Sequence, residues 1–207
     1  MRSRETAGRD LAARVARLVR GPAVVVALPA HATPVAVFTA EALQAPLVPS
    51  YAHAMTVPYL PDVAFGAVDD SGEAVLNTRV VEGLRLSPEE IAAGRERARI
   101  ELERRRDAVG AAGMGSWVRD RTVVVVCDQL EAVLAVEAVV AHARRLGAAA
   151  VMVAAACARA GVADALSHEV DAFVAGGLET EPHRCFPAVS DAEIVELLGR
   201  AASSFPR

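Results

Sequence analysis

Cys127 and Asp128 are the residues of this chain best placed to do chemistry. They follow Thr122 to Val126, an unbroken run of five β-branched residues, which reads as a strand buried on both faces, as in a parallel sheet. Beyond them an Ala/Val/Leu-rich segment starts at Glu131. It carries further polar side chains only at Glu137, His142, Arg144 and Arg145 and stops at Gly147. That pattern predicts a helix with a cationic last turn and a glycine stop. A thiol near a helix N-terminus can be activated as a nucleophilic thiolate; a cysteine at a strand end can equally be a small buried hydrophobe. The Asp128 carboxylate could hold a ribose or polyol hydroxyl, or cap the helix that follows it. His31 and His53 fall on loops expected at the same rim. With Cys127 and Asp128 they are ordinary zinc ligands by type. No closely spaced ligand pair supports a metal site, and none is expected.

The elements that must position these residues follow from patterning. Ala148 to Ala154 reads as a second buried strand, so the centre is a strand–loop–helix–strand crossover of right-handed sense. Such sheets bind ligands at the carboxyl ends of their strands. Upstream, residues 3–20 predict a helix with Leu11, Val15, Leu18 and Val19 on one face, ended by Gly21-Pro22. Ala23 to Leu28 is a strand. Pro29 to Pro34 is a loop in which Thr33 is a candidate N-cap with Pro34 at the first helical position. Val35 to Leu43 is a helix, and Leu47 to Ala52 a strand weakened by Pro49. Residues 53–64, punctuated by Pro58 and Pro61, read as irregular. Phe65–Val68 and Glu73–Asn77 flank Asp69-Asp70-Ser71-Gly72, a hairpin signal.

Ser87-Pro88-Glu89-Glu90 is a capping box. It opens a charged helix to Asp107 whose pairs, such as Glu101/Arg105 and Arg99/Glu103, are worth roughly 0.2–0.5 kcal/mol each. This reads as a solvated helix laid over the domain. Gly110 to Gly115 is a connector, with Met114 and Trp117 as hydrophobic anchors. Residues 159–167 predict a short helix, 170–175 a strand and 176–187 a loop. Ser190-x-x-Glu193 is a second capping box opening a terminal helix to Ala202. His142 reads as a helix-surface residue; His168 and His183 fall outside any motif.

Composition narrows the function classes. A chain of 207 residues suits one α/β domain, expected over residues 1–207. Hydrophobic residues make up 53% and aromatics 4%, so the core is aliphatic. Net charge is -4 and pI about 5.8, against a general nucleic-acid binder. All 22 basic residues are arginine, which removes Schiff-base and Walker-type lysines. Cys127, Cys157 and Cys185 are scattered, as in a reducing cytoplasm. The opening MRSRETAGRD lacks an apolar signal core. The longest apolar run, Leu146 to Ala158, has 13 residues and is too short to span a bilayer.

Taken in order, the chain resembles the type I phosphoribosyltransferases, and more narrowly their small bacterial branch. The resemblance rests on RETAGRDLAARVARLV, LPAHATPVAV, QAPLVPS, FGAVDDSGEAVLN, SPEEI with its arginine/glutamate helix, the segment 122–147 and VSDAEIVELL. It implies a doubly wound, mainly parallel sheet with flanking helices and a small hood, the hood drawn from residues 53–86 and the C-terminal part. It implies a homodimer, and in working members phosphoribosyl pyrophosphate with magnesium.

Three family motifs carry that chemistry, and each departs from pattern here. The acidic pair that holds the ribose falls on Cys127-Asp128, which keeps one acid. The Thr-Gly-x-Thr phosphate cradle falls on Ala132-Val133-Leu134-Ala135, without hydroxyls or glycine, and Glu131 precedes it with a carboxylate. Such a cradle uses free amides at a helix N-terminus and close backbone approach. The Pro-Arg-Gly-Gly loop falls on Pro29-Ala30-His31-Ala32, and an Arg-Lys pair falls by spacing on His53-Ala54. Each charge-assisted phosphate bond is worth roughly 1.5–3 kcal/mol. The resemblance therefore implies a domain without phosphoribosyl pyrophosphate binding, acting as a scaffold or regulatory protein. The alternative is an active transferase or hydrolase with a remodelled pocket around Cys127, Asp128, His31 and His53, using magnesium.

Overall fold

The computed structural model describes residues 3–130, 133–166, 168–179 and 186–204. Helix α1 (Arg4–Val15) starts at Ser3, whose Oγ accepts the Thr6 N–H at 3.1 Å. It buries Ala7, Leu11 and Val15. The helix ends earlier than its sequence pattern suggests, and Leu18, expected inward, is 55% exposed. Strand β1 (Ala23–Ala27) leads through a 3₁₀ turn at Ala30–Ala32 into α2 (Thr33–Leu43). Thr33 is not the cap that its position suggests. It lies inside the helix, and its hydroxyl donates to the Ala30 carbonyl at 2.6 Å. Strand β2 (Leu47–Pro49) stops at the proline.

Residues 53–64 are not irregular. They form β3 (His53–Val57) and the start of β4 (Leu60–Val68), antiparallel, with Val57 opposite Leu60 across Pro58-Tyr59. The register shifts on both sides of Thr56, and such irregularities let prolines sit beside a ladder. The expected hairpin follows, β4 with β5 (Ala74–Leu76). Asn77 then caps a short helix, α3 (Thr78–Gly83), that the sequence pattern did not reveal. In α4 (Pro88–Val109) both arms of the capping box are present: Ser87 N–H to Glu90 Oε2 at 2.8 Å and Glu90 N–H to Ser87 Oγ at 3.2 Å. This helix is more than a solvated cover, because Gly94, Ala98, Leu102 and Val109 form a buried stripe. A Cβ on Gly94 would stand 2.4 Å from the Phe65 ring, so the glycine sets how closely α4 meets β4.

The second half supplies β6 (Thr122–Leu130), α5 (Leu134–Arg145), β7 (Ala150–Arg159), α6 (Val162–Leu166), β8 (Ala172–Ala175), β9 (Leu178–Glu179) and α7 (Asp191–Ser204). Strand β6 does not break after Val126. Cys127, Gln129 and Leu130 continue in register with Ala155, Cys157 and Ala158 of β7. The sheet order is β2-β1-β6-β7-β8, parallel throughout, with β9 paired to the far end of β7. Val25, Val124, Val126 and Ala154 face α1, α2 and α7; Val24, Val123, Val125 and Val153 face α5 and α6. Burial on both faces explains the unbroken β-branched run. This is a doubly wound α/β fold with a small separate antiparallel sheet, β3-β4-β5, held between α4 and α5.

Candidate functional site

Asp128 lies within β6, so it does not cap α5. That helix starts behind Val133 with no side-chain cap. One carboxylate oxygen of Asp128 accepts the Gln129 N–H at 2.8 Å; the other meets the Arg4 guanidinium at 3.0 Å. The two side chains are 13% and 16% exposed. Arg4 comes from the first turn of α1 and also lies over the Phe186 ring, 5.0 Å from its centroid. Its Nε is buried without an acceptor among the described residues. The carboxylate that could accept ligand hydroxyls is thus occupied from within the chain. Cys127 is 2% exposed. Burial, and then the neighbouring Asp128 charge, push its thiol far above the ordinary range. A thiol so held is no thiolate nucleophile, and Cys127 serves as a buried apolar residue.

At the start of α5, Glu131 and Ala132 lie outside the described residues. Val133 is half-buried and packs into the core shared with β6 and β7. Leu134 turns the other way and packs with Ala138 onto Ala67 of β4. Helix α5 therefore has two covered faces: Val136, Val139, Val140 and Ala143 meet the main sheet, while Leu134 and Ala138 meet the small one. His142 is not a surface residue. It is buried, with Nδ1 at 3.8 Å from Asp69, whose carboxylate also pairs with Arg145.

His31 sits in the 3₁₀ turn after β1. A cavity of about 10 Å³ remains there, walled by His31, Ser50, Tyr51, Arg105, Asp191 and Ile194, space for a single water at most. The residues that directly follow β2 are Ser50 and Tyr51, and both are held by Asp70. Ser50 Oγ donates to one of its oxygens at 2.8 Å and the Tyr51 N–H to the other at 2.7 Å. The Tyr51 hydroxyl donates to the Ala111 carbonyl at 3.0 Å. Burial, and then Asp70, push that phenol up to about 12. Asp70 itself is raised above the ordinary carboxylate value by burial. Sequence reading singled out neither residue, although the Asp69-Asp70 pair marked the turn.

His53 opens β3 opposite Val68. Burial, and then Arg105, lower its basicity. No group of three or more His, Cys, Asp or Glu among the described residues is gathered as for a metal. His183 and Cys185 lie outside those residues.

No family model matches the chain. Over 98% of its length it is 34% identical to "Putative phosphoribosyl transferase Rv0571c" of Mycobacterium tuberculosis strain H37Rv, and equally to "Putative phosphoribosyl transferase MT0597" of strain CDC 1551. Over nearly its whole length the chain is therefore similar to proteins named as putative phosphoribosyl transferases. It spans 47% of the length of these relatives, so about half of each has no counterpart in this phosphoribosyltransferase-like domain. The fold is also that of the crystal structure of TT1426 from Thermus thermophilus, with a TM-score of 0.75 at 25% identity over 96% of this chain and 97% of that one. Among the described residues, no helix of the phosphoribosyltransferase-like domain is long and apolar enough to cross a membrane.

Proposed function

We propose that this is a phosphoribosyltransferase-type domain that does not bind phosphoribosyl pyrophosphate and acts without catalysis, as a scaffold or regulatory protein, as a homodimer in the cytoplasm. The observation that carries the reading is the Arg4–Asp128 ion pair, which fills the retained ribose acid with a side chain of the same molecule. Three further features support it. Val133 stands where the family has the glycine of its phosphate cradle. Leu134, in the first turn of α5, is packed into apolar contact with Ala67. The space beside His31 is no larger than a water.

Titration calorimetry with phosphoribosyl pyrophosphate and magnesium tests the reading. No saturable heat is expected up to millimolar ligand. Saturable micromolar binding that weakens at least tenfold in Asp128→Ala would overturn it. The name carried by the relatives favours the second reading, a transferase or hydrolase with a remodelled pocket around Cys127, Asp128, His31 and His53. That outcome of the titration is the one it requires.

A further inference from the structure

We propose that Arg4 is an intramolecular latch: the first turn of α1 opens and closes over Asp128, and a ligand of that carboxylate has to displace the guanidinium. The inference rests on the scaffold reading in taking Asp128 as the retained family acid, and it states how that acid is kept covered.

The packing of α1 marks where the latch would hinge. Ser3, Glu5 and Thr6 are exposed, and Arg4 is the residue of that first turn that reaches inward. From Ala7 onward the helix is fixed. Ala7 and Leu11 are buried, and Gly8 lies so close to α2 that an added Cβ would stand 2.4 Å from the Phe38 ring. The first turn can therefore unwind without disturbing the core.

The closed state carries opposing terms on one side chain. The ion pair at 3.0 Å and the Phe186 ring favour it. Against it stands a cation in the first turn, where the helix dipole repels positive charge. The Nε–H is also buried with no acceptor among the described residues. Both ions give up much of their hydration as well. Local segments whose contacts balance in this way open independently of the global fold. A ligand then shifts the two states only through its preference for the open one.

Carboxylate footprinting of the whole chain, with a carbodiimide and a small amine read by mass spectrometry, tests the latch. Arg4→Met keeps the aliphatic stem and removes the charge. Asp128 is expected to label at least fivefold faster in that variant, while Asp69, 1% exposed, keeps its wild-type rate. Equal Asp128 rates in the two proteins, or a parallel rise at Asp69, would overturn the proposal. Hydrogen exchange on the unaltered protein gives a second test if the variant does not fold. The Ala7 N–H, bonded to the Ser3 carbonyl at 3.0 Å, is expected to exchange at least tenfold faster than the amides of Leu11 and Ala12. Equal rates would sink the latch. Neither readout uses phosphoribosyl pyrophosphate, so binding of that compound would overturn the scaffold reading and leave the latch result standing.

Discussion

Asp69 and Asp128 each set a carboxylate against a guanidinium, Asp69 at the β4–β5 turn and Asp128 near the end of β6. Their surroundings differ in redundancy. At Asp69, one oxygen accepts both the Ser71 N–H at 2.7 Å and the Ser71 hydroxyl at 2.6 Å. The other meets Arg145 and faces His142. The same turn is gripped from α4, by Arg106 on the Asp70 carbonyl at 2.6 Å and Arg95 on the Gly72 carbonyl at 2.7 Å. Asp70 ties it to Ser50 and Tyr51 behind β2. Among the described residues, Asp128 has one guanidinium from a helix end and its neighbour's amide. A carboxylate saturated from several elements is a fixed joint. One held by a single terminal side chain stays exchangeable.

Three measurements would break or sharpen that contrast. Arg145→Ala carries the largest expected effect. It leaves Asp69, 1% exposed, without its guanidinium, and because Arg145 is itself 45% exposed and Ser71 still holds the carboxylate, the loss is that of one charged hydrogen bond to a buried acceptor, about 2 kcal/mol. The urea midpoint should fall accordingly with an unchanged slope. Arg4→Met should cost about 1 kcal/mol, since one charged bond is lost while a buried N–H with no acceptor among the described residues is removed with it. Equal losses in the two variants would erase the distinction between joint and latch.

The smallest effect concerns His53, at the start of the small sheet. Burial and Arg105 make its folded form less basic than the ordinary 6.5. The native state thus binds this proton more weakly than the unfolded chain. The associated stability is present above pH 6.5 and is lost as pH falls through the lower folded value. His53→Asn should flatten that part of the stability–pH curve, as followed by thermal melts between pH 5 and 7.5.

Much of the fold was legible because the signals were local. The β-branched run at Thr122–Val126, the glycine stop at Gly147 (φ 84) and the Ser87/Glu90 box each declare themselves within a few residues. The Asp69–Gly72 turn did the same. Met114 and Trp117 were read correctly as anchors, since Met114 is fully buried and Trp117 packs beside it. The misses have a common cause, contacts made by distant segments. Cys127 to Gln129 read as a break because they are not uniformly apolar, yet the length of β7 decides that pairing continues. Pro58 and Pro61 looked like punctuation, but Pro58 sits in the tight turn between two paired strands and Pro61 in the second of them. His142 looked solvent-facing because nothing in its own helix reveals a second sheet across from it. Arg4 lies 124 residues from its partner, and no local pattern could announce that pair. Asp128 read as a loop acid, whereas it lies inside β6 with its carboxylate on Arg4.

The two covered faces of α5 also bear on what this sequence could become. Val133 belongs to the core beneath the main sheet. A glycine there, as an anion cradle would need, removes a packed isopropyl group and adds backbone freedom where the helix begins. Threonines alone, without that glycine, would bring hydroxyls but no close approach. Val133 thus ties the start of α5 to the core at the point where a glycine would instead let the backbone come close to a ligand.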